Sequence, residues 1–299
     1  MNLLGLILIV TIGTPDVEAT QRAYSQWLEY TAESRGEVSK DLASVWNAPK
    51  MAGRAFVLMQ PKSREPIYLR FVQVDALEGY VPMKTFGWNA IEMLAQDPDE
   101  LAAKFARPQS PFKIVGPPRP LGPGSPIRAM QVIGPGKETL YLSRLPPDSR
   151  GGAAKTPVDR PFVLIVGGPK QQAIRDFYKQ VLGVDSSEPF MARMTVLNKA
   201  LGLDVETTHP LSIARLSPKY AIEIDGYPSA AIDRTVRPGE IPAAIAMASI
   251  AIKSIDDLKA PLLAPAKKIA DLPYSGRRAA VVRGGAGELI ELIEEQRQP

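Results

Sequence analysis

The chain has 299 residues, 45% of them hydrophobic and 23% charged, and 36 Lys and Arg against 32 Asp and Glu leave a formal charge of +4. The excess is spread evenly, with 17 basic and 15 acidic side chains in residues 1–150 and 19 and 17 in the remainder, so no basic patch of the kind that holds nucleic acid stands out. The lack of cysteine excludes disulfides, thiolate metal sites and a cysteine nucleophile, and a single histidine, His209, excludes any site that needs two imidazoles from one chain.

The opening run MNLLGLILIVTIG is apolar, but no basic residue precedes it and it is too short to span a bilayer. It reads as a buried first strand, not an export signal, and the expectation is a soluble, cytoplasmic protein. A helix pattern begins near Val17, and Val38–Trp46 and Ile67–Val74 read as strands that complete a first module. The second helix starts at Asp97-Pro98-Asp99-Glu100-Leu101, with a capping Asp, a Pro in the first turn and acids at the positive end of the helix dipole. Strands Phe112–Val115 and Ile127–Leu142 follow, the latter broken by a turn at GPGK (134–137). The stretch RLPPDSRGGAAKTPVD (144–159) is rich in Pro, Gly and small polar residues and reads as a seam, with the linker at 147–159.

Beyond the seam, FVLIVG leads into a helix from Lys170 whose Ile174, Phe177, Tyr178, Val181 and Leu182 form one apolar stripe, read as core. Met191–Leu197 and Tyr220–Ile224 read as strands. A fourth helix is predicted from Ile255, signalled by Ser254-Ile255-Asp256-Asp257-Leu258, before strands Arg278–Arg283 and Leu289–Ile293. The halves repeat one another: Tyr24 falls on Tyr178 and Leu28 on Leu182 at a spacing of 154, and SVWNAPKMAG (44–53) matches TVLNKALGLD (195–204) with Asn47 near Asn198. The order βαβββ, four times over, predicts an α+β protein of two domains, 1–146 and 160–299, each a pair of modules.

Four such modules resemble the vicinal oxygen chelate superfamily, which includes glyoxalase I, bleomycin-resistance proteins and extradiol dioxygenases. The resemblance is carried by Ile174–Gly183 (IRDFYKQVLG), similar to the family's Phe-Tyr then Leu-Gly helix end, and by Gly284–Leu292 (GGAGELIEL), similar to its closing turn and strand. Gly134–Leu142 (GPGKETLYL) is a weaker counterpart in the second module. The resemblance implies paired modules that form a curved sheet around a cleft, with metal ligands from the first and last strand of each module. The first-strand positions fall near Ile9, Asn89 or Ala90, Val163, and Ser249 or Ile250; the last-strand positions fall near Arg70, Tyr141, Glu223 and Glu291. None of these is an imidazole, so ring-cleaving iron chemistry and glyoxalase-type metal chemistry are not expected. No cofactor is expected, with a divalent ion such as Mg²⁺ or Mn²⁺ on Glu223 and Glu291 as the alternative.

Glu223 in YAIEI and Glu291 in LIEL are lone acids in apolar strands, and period-two alternation places each on the face opposite its neighbours. If that face lines the cleft, the two form an acid–base pair, and the alternative is an ordinary solvent-facing sheet residue. Arg70 and Tyr141 hold the matching places in the N-terminal half and could grip a substrate; Trp88 could line an aromatic pocket; His209 could shuttle protons from its place before Pro210, against the reading of an exposed loop histidine. The expectation is a metal-independent lyase or isomerase of a small aromatic or carbonyl-containing molecule. The alternatives are a sequestering protein of the bleomycin-resistance type and a divalent-metal-dependent dioxygenase-like enzyme. The expected partner is a small molecule, neither nucleic acid nor membrane, with room for a homodimer.

Overall fold

In the computed structural model, residues 3–295 are described, apart from 123 and 150; Met1, Asn2 and the Arg150 of the predicted linker lie outside. The first module runs β1 (Leu3–Thr14), α1 (Val17–Leu28), β2 (Tyr30–Glu37), α2 (Lys40–Val45), β3 (Ala55–Pro61) and β4 (Tyr68–Gln73). The second comprises β5 (Gly87–Ala95), α3 (Pro98–Phe105), β6 (Lys113–Pro120), β7 (Arg128–Ile133) and β8 (Thr139–Arg144). In the third are β9 (Val158–Gly168), α4 (Gln171–Phe177) running into a π turn at Tyr178–Leu182, β10 (Phe190–Arg193), α5 (Thr195–Leu201), β11 (Thr208–Arg215) and β12 (Ala221–Gly226). The fourth has β13 (Ala244–Ile252), β14 (Lys267–Lys268), β15 (Arg278–Arg283) and β16 (Leu289–Glu294). None of the helices among the described residues is long and apolar enough to cross a membrane.

Two curved eight-stranded sheets result, each built from two paired modules. In every module the first strand lies parallel to the last: β1 with β4, β5 with β8, β9 with β12, β13 with β16. The modules then join through antiparallel first strands, and here the structure corrects the predicted partition. β1 pairs with β13, and β5 pairs with β9, so modules 1 and 4 make one sheet and modules 2 and 3 the other. The sheets therefore do not follow the division into 1–146 and 160–299. The seam leads straight into β9, which lies beside the module just completed, as chain neighbours usually do. Modules 1 and 4 are left to pair with each other. We call these the outer-module and inner-module sheets.

Local readings hold where the signal is local. Asp16 caps α1 by accepting from the Ala19 amide at 2.8 Å, and Asp97 caps α3 through the amides of Asp99 and Glu100. Ile174, Tyr178 and Leu182 are buried as predicted. Two predicted strands contain helices instead. Ser39 accepts from the Leu42 amide and starts α2 inside Val38–Trp46, and Met191–Leu197 divides between β10 and α5. The aligned asparagines Asn47 and Asn198 thus both belong to helical turns or their ends. The fourth helix does not form. Pro261 and Pro265 follow too closely, and only a turn closed by Leu258 N–H to the Ile255 carbonyl remains.

The main core lies between the convex faces, where α1, α3 and α4 pack with Val10, Ile12, Ile91, Met93, Val166 and Ile250. The repeated tyrosines stitch consecutive modules together there. Tyr24 of α1 donates to Glu138 at 2.7 Å, and Tyr178 donates to Glu288 at 3.1 Å. Each glutamate follows the closing turn of the next module, so each bond joins one sheet to the other.

Candidate functional site

The two concave faces carry equivalent positions with different chemistry. On the outer-module sheet, register pairs Thr11 with Arg70 and Ser249 with Glu291. These four side chains form a closed polar cluster. Arg70 donates to Thr11 Oγ1 at 3.1 and 2.7 Å, to Tyr274 Oη at 2.5 Å and to Glu291 Oε2 at 3.3 Å. Glu291 also accepts from Ser249, from Tyr274 at 2.7 Å and from the Trp46 indole at 2.8 Å. The guanidinium stacks on Trp46, 4.6 Å from the ring centre. Arg70 is 2% exposed and Glu291 is 0% exposed. The hollow around them is packed by α2, a 3₁₀ turn at Pro49–Met51, and Leu263, Ile269 and Tyr274.

On the inner-module sheet the matching pairs are Glu92 with Tyr141 and Ile165 with Glu223. The first of these continues across the sheet through Gln131 to Gly116. This hollow is open. A cavity of about 450 Å³ is lined by Glu92, Tyr141, Gln131, Glu223, Ile165 and Ile213, with Arg119 and Arg193 among its charged neighbours. Its wall from β10 includes Phe190 and Met191, which are 52% and 61% exposed. That volume is in the range of small-molecule sites.

Burial sets the protonation of the acids here. It pushes the Glu92 carboxyl up to about 7. Glu223 is raised well above the usual carboxylate range, first by burial and then by the charges of Asp225 and Glu92. Asp225, two residues on along the same face of β12, is raised by burial as well. Tyr141 is held neutral by burial and by the acids around it.

The predicted site residues are therefore dispersed. Glu291 and Glu223 lie in different sheets and do not form a pair; Glu291 is sealed and fully hydrogen-bonded, with no path to a substrate. Arg70 is its buried partner, not a substrate anchor. Tyr141 and Glu223 do share the open cleft. Trp88 donates from its indole to the Leu289 carbonyl at 2.8 Å, which ties β5 to β16, and it borders a separate cavity of about 310 Å³ between the sheets. His209 is buried on β11, not exposed on a loop, and its Nε2 is 2.7 Å from Asn198 Oδ1. Burial lowers its pKa. Glu92, Gln131 and Asp225 were missed from sequence. Glu92 carries the signal that singled out Glu223, a lone acid in the apolar strand WNAIEMLA.

Neither set of four fits a chelated divalent ion. In the outer sheet a guanidinium already supplies the positive charge and Glu291 has no free lone pair. In the inner sheet Ile165 offers no donor atom, and among the described residues no three His, Cys, Asp or Glu side chains gather as a metal site. An ion shared by Glu223 and Glu291 has no place, because the two face different hollows.

No protein-family profile and no curated protein sequence matches the chain. Solved structures do match. Glyoxalase I from Zea mays superimposes with a TM-score of 0.63 at 12% identity, covering 96% of this chain and 92% of that one. A putative dioxygenase from Bacillus subtilis superimposes with a TM-score of 0.61 at 10% identity, covering 99% and 87%. With β1–β4, β5–β8, β9–β12 and β13–β16 paired into two curved sheets, the chain shares the fold of these two proteins.

Proposed function

We propose that the protein is an acid–base enzyme of the lyase or isomerase class, acting on a small carbonyl-containing or aromatic molecule in the inner-module cleft. The observation that carries this is the convergence of Glu92, Glu223 and the Tyr141 phenol on one open cavity. A carboxyl whose pKa lies near neutrality divides its time between base and acid, which suits proton transfer at neutral pH. Glu92, at about 7, takes the proton next to a carbonyl. The neutral Tyr141 phenol donates a hydrogen bond to the oxygen as negative charge develops, and Glu223, raised by burial and hydrogen-bonded to Asp225, stands beside it in the cleft. Every role falls to a side chain of this polypeptide.

The test follows deuterium incorporation from D₂O into a panel of aldehydes, ketones and α-hydroxycarbonyl compounds by proton NMR. Glu92→Gln removes the base and should slow exchange by about 10²-fold or more. Exchange that is unchanged in Glu92→Gln, or absent across the panel, rejects the proposal. The exposed Phe190 and Met191 beside the cavity support a second reading, a protein that sequesters an apolar ligand. It is distinguished by saturable binding without exchange.

A further inference from the structure

The inner-module cleft holds two carboxyl groups, and no ion pair joins either of them to a lysine or arginine among the described residues. Glu92 and Glu223 line it. Gln131, 3% exposed, lines it with a side-chain oxygen that has no partner, and Asp225, hydrogen-bonded to Glu223 on β12 and 2% exposed, has Oδ1 without one. The Thr195 hydroxyl on the same wall is also unpartnered. The neutral donors are the Tyr141 phenol, the Thr195 hydroxyl and the Gln131 amide N–H groups, Arg193 is engaged by Glu206 at 2.6 Å, and His209 is bonded to Asn198. Arg119 is the remaining cation, on the edge strand β6.

A buried acceptor without a donor costs about 1–3 kcal/mol, and a buried carboxylate without a cation costs more. Protonation relieves the second cost only in part. A ligand relieves both if it brings several N–H donors and a positive charge. A neutral alcohol supplies a donor but no charge, and an anion adds repulsion. The remaining walls, Met194, Val196, Leu211 and Ile213 with Phe190 and Met191, ask for an apolar body.

We propose that this cleft binds an organic ammonium ion with an apolar or aromatic body, its nitrogen among Glu223, Glu92 and Gln131 and its apolar part against Phe190 and Met191. The assignment deepens the acid–base reading by naming the substrate class of the same cavity, and it rests on that reading only for turnover. A cation drawn in among protonated carboxyls favours their ionised forms, so binding expels protons to the solvent. Glu92, at about 7, is one source, and Glu223 and Asp225 are others. Arg119, Arg193, Tyr141, Tyr227 and His209 are the other charged and titratable groups around these acids, and burial holds both phenols neutral.

Titration calorimetry at about pH 6.5 in two buffers of different ionisation enthalpy reads both consequences, with 2-phenylethylamine, 2-phenylethanol and phenylacetate as probes. The amine should bind about ten-fold or more tighter than the alcohol, with phenylacetate weakest, and amine binding should release protons to the buffer. Glu223→Gln should reduce amine affinity about ten-fold and alcohol affinity by far less, with circular dichroism confirming the fold. Gln131→Leu should cost the amine a few-fold. Alcohol binding as tight as amine binding, preference for phenylacetate, or amine binding without proton release overturns the assignment. The two proposals fail separately. Ammonium selectivity with no carbonyl exchange removes the acid–base reading and leaves this one, and exchange without ammonium selectivity does the reverse.

Discussion

The two eight-stranded sheets are the same construction used in opposite ways. In the outer-module sheet, Thr11, Arg70, Ser249 and Glu291 neutralise one another, and packed side chains close the hollow. In the inner-module sheet, Glu92, Tyr141, Ile165 and Glu223 face a cavity, and among the described residues no cation forms an ion pair with Glu92 or Glu223. An acid at an equivalent strand position is therefore structural in one hollow and available in the other. What separates them is one arginine and a plug of about three short segments, not the strand framework. The fold alone does not favour either hollow; the pairing of charges is what supports the proposal for the inner one.

The largest effect should come from breaking the sealed ion pair. Arg70→Met strands Glu291 in a dry core, and Glu291→Leu strands Arg70 with the donors of Tyr274, Ser249 and Trp46. Each should cost about 3–5 kcal/mol in urea unfolding. The double variant should lose clearly less than the sum, because neither charge is then left alone. Additive losses would show that the two do not act as a pair and would erase the contrast between the hollows.

A second contrast is in pH. Glu92, Glu138 and Glu288 all sit near 7 through burial, against an ordinary 4.5 in the unfolded chain. The folded state then binds more protons than the unfolded state between about pH 4.5 and 7, so stability is greatest below that window, falls across it and levels off above. Each group contributes up to about 3 kcal/mol at roughly 1.4 kcal/mol per pKa unit. Glu138→Gln keeps an acceptor for Tyr24 and should flatten one share of that slope, read from urea midpoints between about pH 5 and 8. Glu92→Gln should flatten another share and alone alter the cleft. A slope unchanged in both variants would place these carboxyls in contact with water.

Much of the architecture was legible because its signals are local. The Asp97 cap, the stripe from Ile174 to Leu182 and the repeat of Tyr24 on Tyr178 each depend on a few neighbouring residues. The partition into sheets was not, since alternation marks a strand without naming its partner. The site was half legible for the same reason. A lone acid in an apolar strand identifies an inward-facing carboxyl, and Glu223, Glu291 and Glu92 all satisfy it. Glu92 was passed over because the resemblance placed the first-strand position at Asn89 or Ala90, short of Glu92, just as Ile9 and Val163 fall two residues short of Thr11 and Ile165, and an alternating strand gives no landmark for its own register. Glu291 looked catalytic because nothing nearby reveals its partners: Trp46 and Arg70 lie 245 and 221 residues away in sequence.

The smallest expected change in stability tests the open hollow most selectively. A Cβ on Gly116 would come within 1.9 Å of Gln131 Oε1. The clash is with the far end of a flexible side chain, so Gly116→Ala should displace the Gln131 amide and shift stability by less than about 1 kcal/mol. The displaced amide leaves the row that runs from Glu92 through Tyr141, so amine affinity should fall a few-fold. Thermal unfolding and calorimetry on one sample compare the two effects. A large drop in melting temperature would mean that Gly116 serves the packing of the edge strand. Unchanged binding would mean that Gln131 does not face the ligand, and the ammonium site would rest on the carboxyls alone.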